Sequence, residues 1–452
     1  MRHILVMTAA STAALLSLFL VDLVDIFFLS LLGQEELAAA IGYAGTLLFF
    51  MTAAGIGLQI GVAATIARAE GASSSTNPTS VDQHPRLIVE RYFANGLIYT
   101  AVCSLIICIP FVIYCEDLLY MLGARGNTLL QAKYYAAIIL PSTPILCLGM
   151  AASATLRSIG DPKAAMYAIM SAAFVNAALD PLFIFTFGLG VKGAAIASVI
   201  SRFFMIGVSL YALKKYHHIT MRFSITRLSE DARKINAIAI PAMLTNLATP
   251  ISSAIVMKFI AGYGNSAVAG VAIVGRLAPV AFAALFALSG SVGSIIGQNA
   301  GARRYDRVKE TLTNALLAST LYVLFAWLIM YLSTDFIISA FEASGDAAEL
   351  IRLYTQFLVI GFVFNGMLFI ANASFNNLQV PHYATAFNFA RAALGTLPLV
   401  ILFSHYYGAK GVMIGETLGA TLFGIIAYSV AIKVINRYQR AESDSKSKKY
   451  TK

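Results

Sequence analysis

Charge is what this sequence has least of. Asp, Glu, Lys and Arg make up 12% of its 452 residues, about half of the roughly 25% found in soluble globular domains. So little charge excludes a water-facing exterior over most of the chain. Tryptophan occurs once and cysteine four times. Cys103, Cys108, Cys115 and Cys147 have neither metal-ligand spacing nor an extracellular pairing pattern, so a zinc module and a disulfide-stapled domain are excluded and the thiols read as packing groups.

What is abundant is apolar. Hydrophobic residues account for 59% of the chain and the mean hydropathy is +0.76, values of an integral membrane protein. A spanning helix needs about 20 apolar residues. Twelve such segments are expected, at 5–32, 37–66, 90–114, 130–156, 163–187, 190–214, 236–260, 267–299, 312–341, 350–378, 383–404 and 411–434. The first runs too long for the apolar part of a cleavable signal and reads as the first span.

Lys and Arg set the orientation. Arg68, Arg86, Arg91, Arg157, Lys163, the 214–234 stretch, Arg303 to Lys309 and the basic tail all fall on the side of the N-terminus. Acids such as Glu35, Glu36, Glu116, Asp117, Glu342 and Asp346 fall mainly on the other. The positive-inside rule places both termini in the cytoplasm. The net charge of +10 follows from this asymmetry and from the tail, so it is no argument for nucleic acid binding. The tail beyond about Arg437 is expected to be disordered.

An internal repeat covers nearly the whole chain. A shift of 231 sets the stretch from Gly33 on that from Gly264, with Pro241 opposite Ala10. A shift of about 219 sets GDPKAAMYA, from Gly160, on QVPHYATAF, from Gln379, and GLGVKGAAIAS on YYGAKGVMIGE. Six helices per half keep the copies in one orientation, a parallel repeat about the membrane normal. The expected division is an N-terminal lobe 1–213, a cytoplasmic linker 214–235, a C-terminal lobe 236–434 and a basic tail 435–452. Substrate would bind between the lobes.

Within the first lobe, polar residues interrupt apolar helices at matching depths. If Gly33, Gly188 and Gly190 mark the outer ends of helices one, five and six, then Asp25, Asp180 and Ser198 each lie eight residues in, about 12 Å deep. Asp22, Asn176 and Arg202 lie about one turn deeper. Asn176 and Asp180 share a helix face, as do Ser198 and Arg202. Pro181 has no N–H, which leaves the Ala177 carbonyl as a further oxygen for a cation. A carboxylate near mid-bilayer costs about 2.5–3.5 kcal/mol on insertion scales, so two at one depth point to a working site. For Ser198 alone a helix-packing hydrogen bond is an equal reading, and for Asp22 a structural ion pair with Arg202 is.

The blocks VDIFFLSLLGQEELAAA, LRSIGDPKAAM, FVNAALDPLFIFTFGLGVKGAAIASVIS and IIGQNAGARRYDRV resemble the motifs of the multidrug and toxic compound extrusion transporters. The resemblance extends over about 430 residues. It implies an all-α polytopic fold of twelve transmembrane helices in two pseudo-symmetric, V-shaped six-helix lobes, in the plasma membrane (the inner membrane of a Gram-negative cell). It also implies secondary active efflux by antiport, exchanging H+ or Na+ for amphipathic, cationic organic compounds. The matching aspartates and asparagine, Asp25, Asp180 and Asn176, would bind the coupling proton or sodium ion, with Ser198 where a threonine is common. Clustered carboxylates would raise one another's pKa and take a proton; alternatively the oxygens of Asp25, Asn176, Asp180 and Ala177 would replace the water of Na+. No cofactor is expected beyond that ion. The partners expected are drug-like small molecules and membrane lipids, not nucleic acid, and the chain reads as a monomer.

The sequence departs from the family in two places. Helix one has no proline, with Ala10 where many members carry one, which puts a proline-hinged bend in doubt. Helices seven and ten carry no acid within their spans, which suits the archaeal and DinF-like branch better than the NorM branch. The C-terminal lobe has instead Lys258, Arg276, Arg391 and Glu416. By the repeat Glu416 takes the place of Ser198, while the two acids map onto Val256 and Leu399. Glu416 is expected to pair with Lys258, unless Lys258 snorkels to the surface. Arg276 and Arg391 have no evident acidic partner, and that excess of positive charge supports an alternative: a flippase or exporter of an anionic or lipid-linked substrate. Tyr43 and Ser153 are weaker candidates for a cavity wall. An intramembrane enzyme is not expected: Asp22 and Asp25 make only a DxxD pair, and neither HExxH nor GxSxG occurs.

Overall fold

The structure, a computed structural model, describes residues 2–30, 35–73 and 85–450, with side chains undescribed at 3, 22–27, 29–30, 35–39, 85 and 445–450. Seventeen α-helices are present among them: α1 (Arg2–Ser30), α2 (Glu35–Ser73), α3 (Pro85–Ile113), α4 (Cys115–Met121), α5 (Gly126–Ile139), α6 (Thr143–Ser158), α7 (Pro162–Pro181), α8 (Val191–Lys215), α9 (Ile225–Ala261), α10 (Asn265–Ala281), α11 (Ala283–Gly301), α12 (Tyr305–Leu332), α13 (Thr334–Ala340), α14 (Asp346–Gln356), α15 (Phe362–Asn377), α16 (His382–Ala390) and α17 (Leu397–Tyr450). No strand occurs among the described residues. Ten helical stretches among them are long and apolar enough to cross a membrane, or eleven if α10 and α11, bent by 46° at their junction, form one span.

Several expected spans prove to be broken, each for a local reason. The 130–156 segment is interrupted by the 3-10 turn Leu140–Ser142, where Pro141 removes a backbone donor. The last two expected spans run together from α16 through the π-turn Arg391–Thr396 into α17, but Gly408 breaks α17 with φ 58° and ψ −138°. α9 already begins at Ile225, inside the stretch expected to be linker. The expected disorder beyond Arg437 is corrected: α17 stays helical to Tyr450. The side chain of Gln439 bonds to Asp306, and Glu442 faces Arg303 at 3.7 Å.

The chain divides into two compact units. One comprises Ala13–Met243; the other comprises Met1–Thr12 together with Leu244–Lys452. The first unit has two apolar clusters, one holding Ala40, Leu47, Leu119, Ile139 and Ile184, the other Leu58, Val62, Phe93, Leu156, Ile235 and Ala239. The second unit packs around Phe282, Val292, Leu312, Ile370, Phe375 and Val412, with Ile4 and Met7 from the start of α1 built into it. In the first turn of α14, the Lys410 Nζ lies 2.8 Å from Glu349 Oε2, and this hydrogen bond holds the Glu349 carboxyl below its ordinary range.

Backbone geometry repeats along with the sequence. Positive φ occurs at Gly123, Gly126 and Gly160 and again 219 positions on, at Glu342, Gly345 and Gln379. At Gly123 and Gly160 the following amide reaches back five residues, Ala124 N–H to Leu119 O and Asp161 N–H to Leu156 O, which is the Schellman ending of a helix. Ala343 to Ile338 and Val380 to Phe375 repeat it. The second copy makes the same turn with Glu342 (φ 48°) and Gln379 (φ 63°), side chains for which the left-handed region is strained.

Candidate functional site

The site of the N-terminal unit grows from the junction of α7 and α8. Asp161 starts α7 by accepting from the Ala164 N–H at 2.9 Å, and Pro162 at the first helical position forfeits only a donor that would be unpaired anyway. At the far end Pro181 has no N–H for the Ala177 carbonyl, and the N–H of Leu182 turns to Leu179 instead. The backbone widens into a π-turn, Leu182–Thr186. α8 starts against it so closely that a Cβ on Gly193 would lie 2.7 Å from the Phe183 carbonyl.

This junction lines up three buried polar side chains. The Ser198 hydroxyl donates to the Asn176 Oδ1 at 3.3 Å, and the Asn176 amide donates to Asp180 Oδ2 at 2.8 Å. The chain of bonds has one direction: Asn176 presents its carbonyl to Ser198 and its N–H to the acid. An ionised Asp180 therefore receives a donor, and all three carry oxygens of the hard type that Na+ or a proton would use. Ala177 is half-buried on the same helix. The backbone of α1 carries Asp22 and Asp25, whose side chains lie outside the described residues.

Arg202 continues the Ser198 face by one turn but makes its described contacts elsewhere. Its guanidinium donates to the Ile139 carbonyl at 3.0 Å and to the Ser142 hydroxyl at 2.6 Å. Both acceptors belong to the α5–α6 break, where the helix end leaves a carbonyl to satisfy. Ser153 is buried, donating to the Ala165 carbonyl and accepting from Arg157, so it sits in helix packing between α6 and α7. Tyr43 is half-buried against the cluster of Ala40, Leu47 and Leu119, with its hydroxyl near Gly123.

In the C-terminal unit Arg276 and Lys258 are exposed. Arg391 and Glu416 are half-buried and interact electrostatically with each other. The pairing of Glu416 with Lys258 expected from depth is not among the described ion pairs; its cationic neighbour is Arg391. Depth along a helix fixes one coordinate of a side chain, and Arg391 enters from a π-turn, Arg391–Thr396, which resets the direction its neighbours point.

A family model, MatE, matches residues 10–182 and 241–402. The chain belongs to the MATE family of transporters. Among curated MATE-like relatives, it is 29% identical over 98% of its length to the FAD transporter of Shewanella oneidensis, covering 97% of that protein. It is 24% identical over 90% of its length to the multidrug export protein MepA of Staphylococcus aureus, covering 88% of it. Its fold is similar to that of the Vibrio cholerae MATE transporter VcmN, with a TM-score of 0.89, 24% identity and coverage of 96% and 97% of the two chains. A MOP superfamily transporter from Pyrococcus furiosus has a TM-score of 0.87 at 21% identity, with coverage of 97% and 96%. The chain is thus an integral membrane protein of a transporter family, with relatives that export drugs and one that moves FAD.

Sequence reading missed a polar clasp on the basic side of this MATE chain. Asp231, fully buried, accepts from Arg91 at 3.0 Å and from Asn95 at 2.8 Å. Buried Glu90 meets Arg222 at 3.0 Å, and His217 meets Asp161 at 2.8 Å. These contacts fasten the 216–224 turn and the start of α9 onto α3 and α7. Arg91 carried a signal only as a loop charge; the acid that holds it, Asp231, is far away in sequence.

Proposed function

We propose that the protein is a secondary active efflux antiporter that exchanges H+ or Na+ for amphipathic, cationic organic compounds by alternating access, with its coupling centre in the N-terminal unit. The observation that carries this reading is the bonded series Ser198, Asn176, Asp180, buried within apolar helices of a MATE chain. A carboxyl held there by a single-direction chain of donors is stable when ionised and can be discharged by one proton or one cation. Asp25 is assigned to the same centre with the Ala177 carbonyl, and Asp22 and Arg202 to the polar layer beneath. We place the chain in the inner or plasma membrane with cytoplasmic termini and twelve spans. The Gly408 break in α17 and the bent α10–α11 pair support that number. The absence of acids in the expected spans 236–260 and 350–378 favours the DinF-like branch.

The test is efflux from proteoliposomes under separately imposed proton and sodium gradients. Asp180→Asn is expected to abolish the gradient-driven component and leave passive exchange. Unchanged driven efflux in that variant would sink the assignment.

A second reading concerns the cargo. The FAD transporter relative spans nearly the entire chain, which favours an anionic solute. Including FAD beside a cationic dye in the same assay separates the two: driven movement of FAD alone replaces the cationic cargo with an anionic one.

A further inference from the structure

The C-terminal unit contains one acid within its apolar body that the coupling centre does not use. Glu416 lies eight residues beyond the Gly408 break, about 12 Å along the helix, as Ser198 does beyond Gly190. Its surroundings are fixed by close backbone approaches. A Cβ on Gly415 would lie 2.6 Å from the Leu399 carbonyl, and one on Gly361 would lie 2.4 Å from the Thr417 side chain. The two neighbours of Glu416 in sequence are thereby fixed, Gly415 on Leu399 and Thr417 on the Leu358–Gly361 turn that follows α14, and α14 carries Tyr354, whose ring meets Phe362 edge-on at 6.5 Å.

Three groups here complement one another without touching. Glu416 has no hydrogen-bond or ion-pair partner among the described residues, yet it interacts electrostatically with Arg391 and Tyr354. The Arg391 Nε and the Tyr354 hydroxyl are buried with no hydrogen-bond partner. They supply two donors, and Glu416 supplies the acceptor they lack. An ionised carboxylate in an apolar helix would draw both donors onto itself, because a bare charge there has no water to solvate it. A carboxyl standing apart from them is the arrangement of the protonated acid. Among the described residues no other titratable group acts on Glu416, and α15, packed on the same arm, has no ionisable side chain.

We propose that Glu416 is a second proton-binding residue, in the C-terminal unit, which takes up a proton by letting go of Arg391 and Tyr354 and closes onto them when it gives the proton up. The role rests on the reading of the chain as an ion-coupled antiporter. Arg391 acts as a positioning residue, and it stands at the start of a π-turn, a widened turn frequent at functional sites. Glu416 adds a proton that the N-terminal series does not account for.

The test is infrared difference spectroscopy of the full chain in lipid nanodiscs between pH 8.5 and 5.5, with a transport arm. The wild type gains a protonated-carboxyl band in acid. Glu416→Gln loses part of that band and Glu416→Asp restores it at a shifted frequency. Arg391→Gln moves its midpoint to higher pH, by about one to three units, because the cation favouring the ionised form is gone. Tyr354→Phe moves it the same way by less. In proteoliposomes Glu416→Gln lowers the number of protons exchanged per substrate while efflux down a substrate gradient persists. An unchanged band in Glu416→Gln, or an unmoved midpoint in Arg391→Gln, overturns the proposal. The Arg391 variant retains Glu416, so it decides the matter even where Glu416→Gln does not fold. Wild-type efflux that ignores both ion gradients would remove the antiport reading while the band still reports on Glu416.

Discussion

Asn176 does two jobs with one amide, and that makes it the most exposed residue of the coupling series to substitution. Asn176→Ala removes the donor to Asp180 and the acceptor of Ser198 together. A hydrogen bond to a charged group contributes about 1.5–3 kcal/mol, so gradient-driven efflux is expected to fall by at least about tenfold. Ser198→Ala removes only a neutral hydroxyl bond of about 1 kcal/mol and should lower it less. Efflux rates of the two variants under one gradient check the order; an equal loss would place Ser198 on the ion itself. The polar residues were legible because each interrupts an apolar run. The direction of their bonds was not, since spacing on a helix reveals which side chains share a face and says nothing of which atom donates. The contacts of Arg202 with Ile139 and Ser142 were hidden for a related reason: these acceptors exist only because α5 stops before Pro141, a tertiary consequence of a helix end.

At the level of elements, two glycine-related positions carry measurable strain or closeness. Gly193→Leu places a side chain where the Phe183 carbonyl lies 2.7 Å from the would-be Cβ. α8 must then move off the π-turn, and Ser198 with it. The expected result is a folded protein of lowered thermal midpoint whose driven efflux is lost. Gln379→Gly is the reverse case. Gln379 holds φ 63° where its counterpart Gly160 pays no steric penalty, and relieving that conformation is expected to stabilise by about 1 kcal/mol. A raised thermal unfolding midpoint in detergent would verify it. The Schellman turns were readable at Gly123 and Gly160, where glycine marks them, and unreadable at Glu342 and Gln379, where only the repeat pointed to them. The break in α17 had a glycine signal, Gly408, but the π-turn at Arg391–Thr396 had none, which is why Glu416 was given the wrong neighbour.

Across the whole molecule, membrane class, helical content and internal duplication follow from apolar run lengths and a 219-residue recurrence, both properties of sequence alone. Unit membership does not. Charge placed a linker at 214–235, yet Ile235 and Ala239 belong to the core of the N-terminal unit, and Ile4 and Met7 to that of the C-terminal unit. Core membership is settled by where a helix packs, and no periodicity distinguishes one apolar body from another.

α1 and α9, the opening helices of the two halves, are each shared between the two units, which divide at Thr12 and Met243. The consequence is topological: the halves have traded their first helix ends, so neither is a complete folding unit when cut along the sequence repeat. Chains 1–223 and 224–452, made separately, should each be degraded or aggregate for want of the borrowed end. Made together in one cell they should recover an intact, transport-competent pair, measurable by co-purification through a tag on one of them. A lone half, as a free polypeptide, would have to lend its own first helix to a second copy and borrow the copy's in return.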